Sequence, residues 1–213
     1  MFDLSLPGLI SRLVTLVVAL TVHEFAHAWT ADQLGDDTPR FSGRLTLNPL
    51  AHLDPIGSLM LIIAGFGWAK PVPVNPYALQ RRTPAGLMLV SAAGPLANLL
   101  LAIIAAVPFR AGLLQAGLVD TALDVWIVRF LQEFILINLI LLFFNLIPLA
   151  PLDGEKVAEY LLPPRGQEVL HRLRPYGPLI LMALILLGGF GSLDLLGLLV
   201  HTPAAKVYGL LMS

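Results

Sequence analysis

Apolar residues fill four long stretches of the chain, residues 6–31, 84–109, 125–149 and 177–190, the last continuing past a glycine break at 188–191 into 193–200. Crossing a bilayer takes about 20 apolar residues in a helix, so the pattern predicts an all-α polytopic membrane protein with about four long transmembrane helices. Between the first two stretches lies a segment of different character, residues 32–83, rich in Gly, Pro and Asn. Its apolar centre, residues 56–68, is too short to cross and reads as a re-entrant or interfacial element. Gly57, Gly65, Gly67 and the Pro-Val repeat at 71–74 predict extended, turn-bounded backbone there. At membrane depth such backbone must be buried in protein or line a wet cavity. No repeat is evident, and residues 1–213 read as one domain with a core at 6–163 and a C-terminal span at 177–200.

Composition strengthens this picture: 57% of the 213 residues are hydrophobic, 13% are charged, and mean hydropathy is +0.81, far from the quarter-charged surface of a soluble domain. The lipid bilayer is therefore a partner, and a net charge of −1 gives no reason to expect nucleic acid. Asp3 precedes the first apolar run, Arg12 sits within it, and no small-residue cleavage site follows, so the run reads as a retained transmembrane helix. If residues 56–68 do not cross, the loops 32–83 and 155–175 lie on one side. They carry Arg40, Arg44, Lys70, Arg81, Arg82, Lys156, Arg165, Arg172 and Arg174, against one arginine and two aspartates in 110–124. By the positive-inside rule, the first span ends at the cytoplasmic face.

Candidate chemistry enters with TVHEFAHAWT, residues 21–30. His23 and His27, four apart, project from one helical face and can share a metal ion, and Glu24 beside them can reach a water on that ion. His-Glu-x-x-His is the arrangement of zinc hydrolases with a glutamate general base. Ionisable groups in an apolar span cost about 2.5–3.5 kcal/mol each, which favours a metal site over an internally paired structural cluster. Without cysteine, a metal must be held by His, Asp or Glu.

A catalytic zinc needs a third protein ligand, and His52, Asp54, Asp153 and Glu155 are available on the same side. Asp153 is best placed, because Pro148 and Pro151 should unwind the third span and Gly154 allows close approach; the bland alternative is a cap for a helix starting near Glu155. His52, in a polar loop, reads more simply as a solvated or turn-stabilising residue and is the reserve ligand. Asn145 can satisfy backbone groups freed by the break or contact a substrate strand. Asn98, on a span kinked at Gly94-Pro95, can serve an oxyanion or substrate backbone, or hold two helices together. Arg129 and Glu133 have the spacing of an i,i+4 pair, and His171 and His201 read as surface or interfacial residues.

His23-Glu24-x-x-His27 in the first span, Gly94-Pro95-x-x-Asn98 in the second, and Asn145-x-x-Pro148 with Leu152-Asp153-Gly154 after the third occur in order over residues 10–160. In this the chain resembles the site-2 protease family of intramembrane zinc metalloproteases. The resemblance implies one Zn2+ on His23, His27 and Asp153, with Glu24 as base. It also implies cleavage of transmembrane or membrane-anchored proteins, with the zinc sunk in the bilayer toward the cytoplasm. With no insertion long enough for a PDZ domain, the chain looks like a compact prokaryotic branch, which implies a prokaryotic cell membrane. A helical substrate hides its carbonyls and must unwind before attack; backbone from 56–75 is expected to pair with the unwound strand. The competing readings are a catalytically silent zinc-containing scaffold, which loss of Glu24 or a ligand would mark, and a metal transporter, which would string ionisable groups through several spans.

Overall fold

The computed structural model describes residues 5–57, 68–114, 121–187 and 194–213, and among them the fold is helical. Helix α1, Leu6–Gln33, is capped by Ser5, whose side chain accepts from the Gly8 N–H, with Pro7 in its first turn. It stops at Leu34, followed by Gly35 with φ +85°, a left-handed position that glycine takes without strain. A short helix α2, Thr38–Phe41, and a 3-10 turn at Pro49–Ala51 follow. Helix α3, Pro76–Arg82, is capped by Asn75. The long helices α4, Gly86–Arg110, and α5, Ala122–Asn145, come next, α5 opening on a capping box between Thr121 and Asp124. The chain closes with α6, Asp153–Leu161, α7, Pro164–Leu173, α8, Gly177–Leu187, and α9, Thr202–Met212.

Four helical stretches are long and apolar enough to cross a membrane: Leu6–Gln33, Gly86–Arg110, Ala122–Asn145 and Pro164–Leu186. Two of them differ from expectation. The third ends at Asn145 rather than near residue 149, as expected where Pro148 cannot supply a helical N–H. The fourth begins at Pro164 rather than 177, because the polar residues of α7 hid a helix that the apolar run does not reveal. The expected re-entrant centre lies largely at 58–67, outside the described residues, as does the break at 188–191.

Helix α4 is central, packing on α1, α5, α6 and α9. Small side chains make this possible: Ala19, Ala28 and Ala31 on α1 and Ala102, Ala105 and Ala106 on α4 are buried, and small residues let helices approach where no water drives them together. Ile135, Leu139 and Leu142 of α5 and Ala204 of α9 complete that core. Large apolar residues such as Leu13, Leu96, Leu100 and Ile104 point outward, which suits lipid and not water.

The segment after α1 is tied down by two buried polar residues. Asp36 accepts from the backbone N–H groups of Thr38 and Asn75, and Arg44 donates to the carbonyls of Ala51 and Lys70. A β-bridge joins Leu53 to Ala69, and Lys70 N–H donates to the His52 carbonyl. Residues 70–75 are non-helical. His52 is turn-stabilising but not solvated: it is 1% exposed, with Nε2 donating to the Thr46 carbonyl at 2.7 Å.

Glu133 pairs across helices rather than along α5. Its carboxylate accepts from Arg12 Nε at 2.9 Å, and Arg129 is not its partner. Two opposite charges facing each other between spans spare each an isolated place in lipid. A double-mutant cycle of Arg12→Met and Glu133→Leu is expected to show a coupling on the order of 1 kcal/mol in unfolding stability; Arg129→Met with Glu133→Leu is expected to be additive.

Candidate metal centre

His23 and His27 sit one turn apart on the buried face of α1, with ring centroids 4.6 Å apart. Asp153, the first residue of α6, reaches them from the turn at 146–152. Its Oδ2 lies 3.1 Å from His23 Nε2 and 3.3 Å from His27 Nε2. One ligand atom from each of the three residues falls within 4.8 Å of the others, and among the described residues this is the one such group. Asp153 does not cap its helix: Leu152 holds that position without a side-chain cap bond. A side chain at Gly154 would collide with the Leu146 carbonyl, so the tightness of this turn explains the glycine beside the aspartate.

The opposite nitrogens of both rings are occupied. His27 Nδ1 donates to the Val90 carbonyl at 2.7 Å, and His23 Nδ1 lies 2.7 Å from Asn98 Oδ1. A neutral imidazole whose hydrogen sits on Nδ1 turns an Nε2 lone pair toward the Asp153 carboxylate. Three electron-rich atoms then face one another, an arrangement that a cation between them stabilises. The space for it is held open by Gly94, where a Cβ would stand 2.5 Å from both Nε2 atoms. Two imidazoles and one carboxylate, with no thiolate, form the donor set of a catalytic zinc site. The residues therefore fit zinc.

Around this group lies a cavity of about 360 Å³ whose walls include Glu24, Trp68, Val72, Val74, Phe144 and Asn145. Glu24 is 8% exposed and makes no hydrogen bond or ion pair with any described residue, so its carboxylate is open to water in the cavity. The other third-ligand candidates are engaged elsewhere. His52 is not in the group, Asp54 accepts from the Gly57 N–H, and Glu155 pairs with Arg174 and Lys156.

Of the two uses expected of Asn98, its contacts are those of a residue that holds helices together. It is fully buried, and its two amide hydrogens are committed to the Ala19 carbonyl at 3.3 Å and to Asn138 Oδ1 at 2.9 Å. Asn145 donates to the Leu141 carbonyl of its own helix, and it lines the cavity. Asn138, fully buried and donating to the Phe134 carbonyl at 2.9 Å, was not anticipated. Its signal was a lone amide inside the apolar run ILINLILLFF. His171 pairs with Glu159 at 2.7 Å, and His201 is exposed.

The sequence profile of Peptidase family M50 matches residues 11–117 and 111–188. YwhC of Bacillus subtilis, named as a candidate zinc metalloprotease, is 42% identical over 175 residues, 80% of this chain and 78% of that protein. Rip2 of Mycolicibacterium smegmatis, named likewise, is 34% identical over 173 residues, 80% of this chain and 64% of that protein. Rip2 of Mycobacterium tuberculosis is 34% identical over 179 residues, again 64% of its length. The chain thus spans less than two thirds of the Rip2 proteins. No solved structure matches.

Gly94→Ala is expected to lose zinc while keeping its helix content, because the added methyl occupies the space between the ligand nitrogens. Asp153→Ala is expected to lower zinc occupancy similarly; metal analysis of the purified proteins checks both. Full occupancy in Asp153→Ala would move the third ligand to another residue.

Proposed function

The chain belongs to peptidase family M50, and from that premise we propose that it is an intramembrane zinc endopeptidase, hydrolysing peptide bonds in or near transmembrane segments of membrane-anchored proteins. The observation that carries this reading is the meeting of His23, His27 and Asp153 on one cavity with Glu24, which has no hydrogen-bond partner among the described residues, set within the packed spans. Zinc held by the three ligands would supply Lewis acidity, acidifying water toward a pKa of about 7 and stabilising negative charge on a carbonyl oxygen.

The chain's own residues do the rest. Glu24 follows His23 directly on α1, so its carboxylate is carried to the same cavity as the ligand nitrogens. It takes the proton of the attacking water and returns it to the nitrogen of the departing amine, the two halves of general acid-base catalysis. Leu20, Leu141 and Phe144 keep the cavity wall apolar, which strengthens every polar interaction inside it.

The substrate's backbone needs partners once it unwinds. Val72 and Val74 lie on the cavity wall, and their N–H groups have no hydrogen-bond partner among the described residues. They are suited to pair with an extended substrate strand. Pro71 and Pro73 lack N–H groups, so donors remain on one edge of this backbone only. Asn145 presents its amide to the same cavity and is a second backbone contact. The charge asymmetry of the loops supports an opening on the cytoplasmic side.

A silent scaffold would be marked by loss of Glu24 or of a ligand, and all four residues are present. A transporter reading gains little, since the candidate ligands gather at one level of the bundle and the ionisable pair at another level, Arg12 with Glu133, is closed on itself.

Glu24→Gln is expected to keep its zinc and to cleave a model transmembrane peptide about 10²–10⁴-fold more slowly than wild type, the usual worth of a general base. Cleavage at the wild-type rate with zinc bound would overturn the mechanism. Val74→Pro, which deletes one backbone donor, is expected to raise KM with zinc content unchanged; an unchanged KM would remove the strand-pairing step.

A further inference from the structure

From the hydrogen bonds behind His23 we infer that Asn138 is a positioning residue for the metal site, acting through Asn98 to hold His23 in the tautomer that offers Nε2 to the ion. This rests on the zinc reading of His23, His27 and Asp153.

The direction of the chain of amides is set by two backbone carbonyls, which can only accept. Phe134 O lies 2.9 Å from Asn138 Nδ2, so the end of Asn138 facing it must be the NH2 group. That leaves Asn138 Oδ1 facing Asn98, where it accepts from Asn98 Nδ2 at 2.9 Å. The second hydrogen of Asn98 goes to Ala19 O at 3.3 Å. With its NH2 group fixed at both hydrogens, Asn98 turns its oxygen to His23 Nδ1 at 2.7 Å. An amide oxygen cannot donate, so the imidazole must carry its hydrogen on Nδ1. In the neutral imidazole Nε2 is then a bare lone pair aimed at the ligand cluster.

Flipping any one amide would break this order. Were Asn98 reversed, its NH2 would face Nδ1, the hydrogen would move to Nε2, and His23 could not ligate through that atom. The Ala19 carbonyl alone, at 3.3 Å, is a weaker restraint on Asn98 than the two carbonyls acting together. Asn98 and Asn138 are both fully buried, so no water competes for these groups, and an unmade bond there is costly. His27 needs no such relay, because Val90 O accepts from its Nδ1 directly. The two imidazoles are thus set to the same tautomer by different means, one by a carbonyl on α4 and the other by amides linking α1, α4 and α5.

The test uses the full-length protein in detergent micelles, with zinc affinity measured by chelator competition and the cobalt-substituted form read by its visible spectrum. Asn138→Leu, close in size and without polar atoms, is expected to weaken zinc binding about 10–100-fold, the usual effect of losing a group behind a ligand, and to alter the cobalt spectrum. Asn138→Ser is expected to recover part of the affinity, because its hydroxyl can donate to Phe134 O and still accept from Asn98. Wild-type affinity in Asn138→Leu, or equal losses in the Leu and Ser variants, would overturn the relay. Nitrogen-15 spectra of the zinc-loaded wild type test it without a variant: a protonated His23 Nδ1 supports it, and an unprotonated one overturns it. A wild type that binds no zinc would overturn the zinc reading itself, a result separate from zinc binding that is indifferent to Asn138.

Discussion

Three electron-rich atoms held together in an apolar bundle are the constraint on which the rest of this structure depends. Two imidazole nitrogens and a carboxylate oxygen converge within 4.8 Å, and the opposite ring nitrogens face the Val90 carbonyl and Asn98 Oδ1. Such a cluster calls for a cation, and everything around it serves its geometry. Helix α1 must present His23 and His27 on its buried face; α4 must come close enough to touch them, which only a glycine at 94 permits. The third span must stop at Asn145 so that the chain can fold back and deliver Asp153. The candidate metal site and the fold are therefore one problem: moving any of the three elements separates His23, His27 and Asp153.

Much of this was open to sequence reasoning because it rests on spacing and on backbone chemistry. The i,i+4 histidines follow from helical periodicity, and the break before Asp153 from two prolines within four residues. What could not be read was partnership between helices. Arg129 and Glu133 have the right spacing for a pair along one helix, yet Arg12 reaches Glu133 from α1. Nothing local distinguishes those outcomes, because the choice depends on how two spans face each other. Asn98 is the sharper case. Its position in an apolar span marked it as important, but its role depends on whether its hydrogens are free. They are taken up by Ala19 and by Asn138, residues 79 and 40 positions away. The start of the fourth span was missed for another reason, since a helix with a polar first half does not announce itself by hydropathy.

The bilayer turns these contacts into stronger constraints than they would be in water. An unpaired amide or carboxylate between lipid-facing helices has no solvent to turn to, so each buried polar group has to find its partner within the bundle. Glu24 departs from that rule, as the buried Thr15 hydroxyl also does, with no hydrogen-bond partner among the described residues although it is only 8% exposed. A carboxylate left open in such a place is available to whatever enters the cavity, which is the basis of the general-base role proposed for it.

Charge explains why the relay behind His23 is built from amides. Histidine ligands commonly rest on a carboxylate or a carbonyl, and a carboxylate would hold the Nδ1 hydrogen more firmly. In this cavity a divalent ion, once bound, would already balance Asp153 and Glu24 and leave the assembled site neutral. A third carboxylate at position 98 or 138 would leave an uncompensated negative charge among apolar spans, where even a partly relieved charge costs about 2.5–3.5 kcal/mol. Amides transmit the same orientation without adding charge, provided their direction is fixed, and the carbonyls of Ala19 and Phe134 fix it. The neutral relay is what a zinc site needs when it is placed in a membrane.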